Sequence, residues 1–209
     1  GPLIDLDLLH AIDVAPNGDV VAVGETLWST SAGSGDLAVL RLDELGSRVT
    51  GFGEGGVVVG GVGDRSIAHD VEAAGDAVTI AGSSETGEDY SRGMVARFDD
   101  GGGLDADFGD ATSPGVIQFQ ELVQVRQIAD GGGGRVLATG DAYVSAVGVA
   151  RLLPGGVRDE GFGQSGVVRL DLNDETEQSG NELAGGVLAR GAGRVLVLVR
   201  VEPLEGSDG

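Results

Sequence analysis

The stretch RLDELGSRVTGFG at residues 41–53 decides the fold, because the chain repeats its pattern twice. RFDDGGGLDADFG occupies residues 97–109 and RLLPGGVRDEGFG residues 151–163, so the arginines lie 56 and 54 residues apart. Each arginine is followed five residues later by glycine and eleven residues later by Phe-Gly. A constant internal spacing indicates a repeated structural unit rather than one catalytic motif. The motif residues are Arg41, Gly46, Phe52, Gly53, Arg97, Gly102, Phe108, Gly109, Arg151, Gly156, Phe162 and Gly163.

A second element, a glycine turn between two β-rich runs, occurs four times. Its turn glycines are Gly18, Gly75, Gly134 and Gly193, which lie 57, 59 and 59 residues apart. A period of roughly 56 residues with strand-turn-strand content is typical of propeller blades and not of helical solenoids. For the second unit the pattern predicts four strands, near residues 68–72, 77–81, 93–98 and 115–119.

The sequence therefore predicts an all-β chain, either a β-propeller or a propeller segment of four-stranded antiparallel blades. Residues 1–209 are one array, with units at 10–66, 67–121 and 122–178, a partial unit at 179–209 and a stray closing strand at 3–9. Propellers have about four to eight blades, and this array has about three and a half repeats. We expect a partner chain or self-association to complete it, because open arrays expose strand edges and apolar faces. A compact four-bladed ring is the alternative.

Composition limits the partners. The chain has 34 acidic and 13 basic residues, a net charge of −21, which argues against nucleic acid and anionic membranes because both attract Lys and Arg. Cysteine is absent, which excludes disulfides, thiol catalysis and cysteine-ligated zinc. No apolar run reaches the ~18 residues of a membrane span, so we expect no membrane insertion.

No catalytic constellation is visible in the sequence, and neither a Ser-His-Asp order nor a Gly-x-Ser-x-Gly elbow occurs. Two histidines, His10 and His69, both precede an Asp-Val. Aligning the units on Asp13 and Asp70 places the histidines at different repeat positions. We therefore predict structural or surface roles for both, no metal pair, no catalytic residue and no cofactor.

Two acidic loops and one aromatic residue are weaker candidates. Oxygen-rich loops of this kind can bind calcium, but we favour ordinary turn chemistry as their explanation. Trp28, the one tryptophan, lies in a predicted loop and is a candidate contact residue. The loop residues are Asp99, Asp100, Asp105 and Asp107 in one loop, and Asp171, Asn173, Asp174 and Glu175 in the other.

Taken in order, these motifs resemble the bacterial delta-60 repeat family. The resemblance covers nearly the whole chain and is carried by LAVLRLDELGSRVTGFGEGGVV, GMVARFDDGGGLDADFGDATSPGVI and VGVARLLPGGVRDEGFGQSGVV. It implies blades like those of β-propellers and no activity common to the family. Unit 2 departs from the pattern by extra residues at 111–114.

We expect a non-catalytic scaffold or protein-interaction module of a bacterial secreted, cell-surface or periplasmic protein. Two alternatives stay open: an enzyme, such as a carbohydrate-active one, with its site at the propeller mouth, and a calcium-stabilised adhesion or fibre segment. In the motif, we expect each phenylalanine to lie between neighbouring blades. The arginine is expected to bind backbone carbonyls of the loop that leads to Phe-Gly.

Overall fold

The computed structural model describes residues 8–27, 35–60, 62–85, 91–143, 145–172, 180–190 and 194–203, and these residues form strands without any helix. The prediction of an all-β chain is confirmed. No helix that could cross a membrane occurs in these ranges. The strands are β1 Leu8–Val14, β2 Val20–Leu27, β3 Gly35–Leu42, β4 Val57–Val59, β5 Arg65–Ala74, β6 Ala77–Glu85, β7 Ser91–Phe98, β8 Gly109–Asp110, β9 Ser113–Pro114, β10 Val116–Phe119, β11 Leu122–Gly132, β12 Arg135–Ala142, β13 Ala146–Leu152, β14 Val167–Leu170, β15 Gly180–Arg190 and β16 Arg194–Pro203.

These strands form successive antiparallel sheets. Sheet 1 has the order β1-β2-β3-β4, sheet 2 β5-β6-β7-β10, and sheet 3 β11-β12-β13-β14, while sheet 4 consists of β15 and β16. Sheet 2 confirms the four strands predicted for the second unit. Its extra residues form the short β8-β9 ribbon. Leu8 and Leu9, expected in a stray closing strand, begin β1, and residues 3–7 lie outside the described ranges.

The first strand of every sheet carries a β-bulge at the same depth. The residues before the bulges in sheets 1 to 3 pair with Gly24, Gly82 and Gly140. A Cβ at Gly24 would lie 1.9 Å from the carbonyl oxygen of Leu8, and the other two glycines show the same approach at 2.0 and 1.9 Å. A bulge that brings the backbones this close requires glycine on the second strand. The residues at this shared bulge are His10, His69, Arg126 and Gly185, and β11 has two further irregularities, at Val123 and Gly131.

The core lies between consecutive sheets. Val21 and Val23 of sheet 1 belong to one buried cluster with Ala68 and Val71 of sheet 2. A second cluster joins residues of sheet 2, among them Ala81, to residues of sheet 3. Each inner sheet is covered on both faces by its neighbours, and its third strand is correspondingly apolar and buried on both sides.

Candidate functional site

The Arg…Phe-Gly motif forms a compact structure, here called the joint, which closes the loop after each third strand. In sheet 1 the Arg41 N–H donates to the carbonyl of Gly56 (3.0 Å), and the Arg41 carbonyl accepts from Val49 N–H (3.0 Å). The Phe52 N–H donates to the Val49 carbonyl, and the Phe52 carbonyl accepts from Gly56 N–H, both at 2.9 Å. The same four bonds recur around Arg97 with Asp105, Phe108 and Gly115, and around Arg151 with Asp159, Phe162 and Gly166.

The turn glycine of each joint has a left-handed backbone. Gly46, Gly102 and Gly156 have φ values of 79°, 79° and 81°. Residues with a Cβ are strained in this region, so the conformation alone favours glycine at all three positions. Their N–H groups close the turn by donating to the carbonyls of Asp43, Asp99 and Leu153.

Each arginine side chain lies over the phenylalanine ring of its own joint. The guanidinium carbon is 5.9, 4.2 and 4.6 Å from the ring centroid in the joints of Arg41, Arg97 and Arg151. These distances allow a cation–π attraction of about 0.5–1 kcal/mol each. The stacking therefore explains structurally why an arginine and a phenylalanine occur eleven residues apart in each joint.

The polar partners of the three arginines differ. Arg97 Nη1 donates to the carbonyl of Pro154 at 3.0 Å. The expected carbonyl partner exists, but it belongs to the turn of the following unit and not to the loop leading to Phe108. Arg41 Nε instead donates to Asp19, and Arg151 Nε to Asp159, both at 2.9 Å. The expectation of a loop-carbonyl partner is therefore wrong, because nearby carboxylates are stronger acceptors for two of the three guanidinium groups.

The joint of one unit also binds the turn of the next. Gly53 N–H donates to the carbonyl of Gly101 (2.8 Å), and a Cβ at Gly102 would lie 2.6 Å from the Gly53 nitrogen. Sheets 1 and 2 are thus connected by main-chain atoms in van der Waals contact. The joint of sheet 2 repeats this contact with the turn of sheet 3. The Gly109 N–H donates to the Gly155 carbonyl at 2.8 Å, and a Cβ on Gly156 would lie 2.6 Å from the Gly109 nitrogen.

The third copy of the joint lies open. Phe52 and Phe108 have no exposed surface, whereas Phe162 is half-buried. Among the described residues nothing accepts a hydrogen bond from Gly163 N–H. At the first joint, no atom of the described residues, apart from Gly46 and its chain neighbours, lies within 4 Å of a Cβ built on Gly46. The first joint therefore has an open turn and the third joint an open Phe-Gly, which are the two halves of the contact that consecutive joints complete.

The bulge residues of sheets 1 to 3, His10, His69 and Arg126, form a polar row that the sequence did not reveal. His10 and His69 meet edge to face with ring centroids 5.8 Å apart. Both occupy the bulge of a first strand, so the interpretation that they hold different repeat positions is wrong. The error came from aligning the units on the glycine turn, since the β1-β2 connection is three residues longer than the β5-β6 connection. The glycines opposite the bulges, Gly24 and Gly82, are the register signal that could have identified the pair.

Charged neighbours surround this row. His10 Nε2 lies 3.5 Å from the buried carboxylate of Glu25, and Arg126 Nε lies 2.7 Å from Asp141. Burial lowers the pKa of His69 to about 4, with smaller contributions from the positive charges of His10 and Arg126. His69 is therefore neutral at physiological pH. No group of three or more metal-ligating side chains is present in the ranges that the structure describes.

A cleft of about 540 Å³ lies between sheet 3 and sheet 4. Arg151, Arg190 and Arg194 line it, and Asp130 is the one carboxylate among its described lining residues. In a chain of net charge −21 this is a local cluster of positive charge. The cleft adjoins the open third joint, because Arg151 belongs to both.

The remaining candidates lie apart from the joint. Asp99 Oδ1 accepts hydrogen bonds from the N–H groups of Gly101 and Gly103, and Asp105 Oδ1 accepts from Asp107 N–H. These bonds are the side-chain-to-backbone contacts of ordinary turns. Trp28 and the loop residues Asn173, Asp174 and Glu175 lie outside the described residues. Calcium binding stays a prediction.

Comparison with known proteins does not place the chain in a family. No protein-family model matches the sequence, and no curated protein sequence is significantly similar to it. The joint, the bulge row and the open ends are therefore interpreted from their own geometry.

Proposed function

We propose that this chain is a segment of a β-propeller that acts as a non-catalytic scaffold and protein-interaction module. The proposal includes membership of the delta-60 repeat family and a place in a bacterial secreted, cell-surface or periplasmic protein. The propeller arrangement is supported by successive antiparallel sheets that pack face to face, each with a bulged first strand. Delta-60 membership is supported by the motif resemblance alone.

The observation that carries the function is the open third joint. The joint contains stacking and main-chain hydrogen bonds, and in two copies it binds a turn of the next unit. In the third copy Phe162 is half-buried and Gly163 N–H has no acceptor among the described residues. An unpaired N–H donor beside an apolar ring favours a protein turn as the partner. In the second joint such a turn supplies both the carbonyl that accepts the hydrogen bond and the atoms that lie against the ring.

Site-specific photo-crosslinking tests this function. A benzoylphenylalanine replaces Phe162, and a matched probe replaces Leu104, which is also partly exposed but lies in the turn of sheet 2. The probes are irradiated in the purified chain and in the presence of the proteins of its source. We expect protein adducts from position 162 and few from position 104. Equal labelling at both positions, or none at 162, would refute the proposal.

A further inference from the structure

The outer side of β1 in sheet 1, here called the head face, is apolar and uncovered. It consists of Leu9, Ile12 and Val14 on β1, which are 58%, 68% and 59% exposed. The apolar residues at the corresponding positions of sheets 2 and 3, counted along the first strand from its bulge, are at most 8% exposed. These buried equivalents are Ala68, Val71 and Ala73 in sheet 2, and Val125 and Ile128 in sheet 3.

The middle of the outer face of sheet 4, here called the tail face, is also apolar and uncovered, and it lies between the exposed Arg194 and Arg200 of β16. Leu188, Leu196 and Leu198 are 53%, 52% and 67% exposed. Leu196 and Leu198 lie on the second strand of their sheet, where the equivalent residues of the other sheets are at most 4% exposed. Those equivalents are Val21 and Val23, Thr79 and Ala81, and Leu137 and Thr139.

The two open faces are the two halves of a contact that the chain already makes inside itself. Val21 and Val23, at the tail-face positions of sheet 1, are in one cluster with Ala68 and Val71, at the head-face positions of sheet 2. Sheets 2 and 3 repeat the arrangement. A head face therefore fits a tail face in shape and register, and faces of the same kind do not meet in any described contact.

We propose that a second copy of this chain docks head to tail, with its head face on the tail face of the first. This inference rests on the proposed function and names the partner. A second copy is the occupant that the geometry favours, because it presents the bulged apolar strand that covers this face between the inner sheets. The contact is heterologous, since different surfaces of the two copies meet, and it leads to a ring or an open chain of copies.

The test uses one variant of each face, Ile12→Asp and Leu196→Asp, with Leu198→Asp as a second tail variant. Leu104→Asp is the matched control, because Leu104 is 44% exposed on neither face. Association is followed by sedimentation velocity over a wide concentration range, in enough salt to screen the repulsion between two chains of charge −21. Circular dichroism and thermal melting establish that each variant is folded.

We expect the parent chain and Leu104→Asp to associate as concentration rises. A buried, unpaired carboxylate should weaken the contact by about 100-fold or more, so each face variant alone stays monomeric. An equimolar mixture of Ile12→Asp and Leu196→Asp should form dimers and nothing larger. One intact tail face and one intact head face remain in that mixture.

Three results would overturn the second copy as partner. They are a parent chain that stays monomeric throughout, a single face variant that still dimerises through like faces, and folded variants whose mixture stays monomeric. The proposed interaction function is tested by a different experiment, the photo-crosslinking of Phe162, so it can fail or hold independently of the second copy. Adducts from the Phe162 probe to another protein, with a monomeric parent chain, would remove the second copy and keep the interaction module.

Discussion

The joint makes a quantitative prediction that compares two glycines with the same backbone. Gly46 and Gly156 have φ values of 79° and 81°. Beyond its chain neighbours, a Cβ on Gly46 meets no described residue within 4 Å, whereas one on Gly156 would lie 2.6 Å from the Gly109 nitrogen and 2.7 Å from the Phe108 ring. Alanine at both positions therefore isolates the inter-sheet contact from the backbone strain.

The two effects have separate magnitudes. Left-handed backbone costs alanine about 1–2 kcal/mol at either position. Overpacking against backbone and a buried ring adds about 1–3 kcal/mol at Gly156 alone. We expect Gly46→Ala to lower the free energy of unfolding by about 1–2 kcal/mol, and Gly156→Ala by roughly 2–5 kcal/mol.

Urea unfolding followed by far-ultraviolet circular dichroism measures both variants, and unchanged slopes establish that the native and unfolded states are comparable. Gly102→Ala serves as an internal replicate, since its Cβ would lie 2.6 Å from the Gly53 nitrogen. Free energies for Gly46→Ala and Gly156→Ala that agree within about 0.5 kcal/mol would refute the close contact between sheets.

Three further predictions concern the core and the bulge row. Phe108→Ala should lower the free energy of unfolding by about 3–5 kcal/mol, and Phe162→Ala by about half as much, because Phe108 is fully buried and Phe162 half-buried; equal losses in urea unfolding would contradict this. Gly140→Ala should cost about 3 kcal/mol or more in the same assay, since its Cβ would lie 1.9 Å from the Gln124 carbonyl oxygen; a neutral change would disprove the bulge geometry. The pKa of His69 is lowered from 6.5 to about 4, so the fold disfavours its protonation and stability is lost as the pH falls through this window. His69→Gln should remove roughly 2–3 kcal/mol of that loss, measured as urea midpoints between about pH 7 and pH 4, and an identical pH profile would count against the burial of the ring.

The sequence predicted the strands because turns and strands have local signals. Gly75 lies between two β-rich runs, and its φ of 65° is a conformation that glycine adopts freely. The third strand of the second unit, predicted at 93–98, is observed at Ser91–Phe98. Such features depend on a few neighbouring residues, so a single sequence contains them.

The register between units could not be predicted in the same way. Five residues separate the paired Val14 and Val20 in sheet 1, but two separate Ala74 and Ala77 in sheet 2. An alignment anchored on the turn therefore shifts the first strands against each other and separates His10 from His69. The bulge is a property of the pairing of two strands, and its one sequence trace is a glycine such as Gly82, which on its own resembles any other glycine.

The polar partner of each arginine was also beyond sequence reasoning. Arg97 reaches the carbonyl of Pro154 in the next unit, whereas Arg41 reaches Asp19 in its own sheet. A repeated residue can have a constant apolar role, stacking on phenylalanine, while its hydrogen bonds follow whichever acceptor the local sequence supplies. Constancy of the motif therefore reflects packing more than polar pairing.

The main-chain character of the joint determines what kind of partner the open ends can accept. Gly53 binds the Gly101 carbonyl through backbone atoms, so the turn that docks there needs a glycine with left-handed backbone and few specific side chains. The three turns indeed differ in sequence, as DELGS, DDGGG and LPGGV, while their glycine is constant. Specificity then comes from the position of the turn relative to a bulged strand and an apolar face. Another repeat unit of the same kind offers all three features together, whereas a small ligand or an isolated peptide offers at most one.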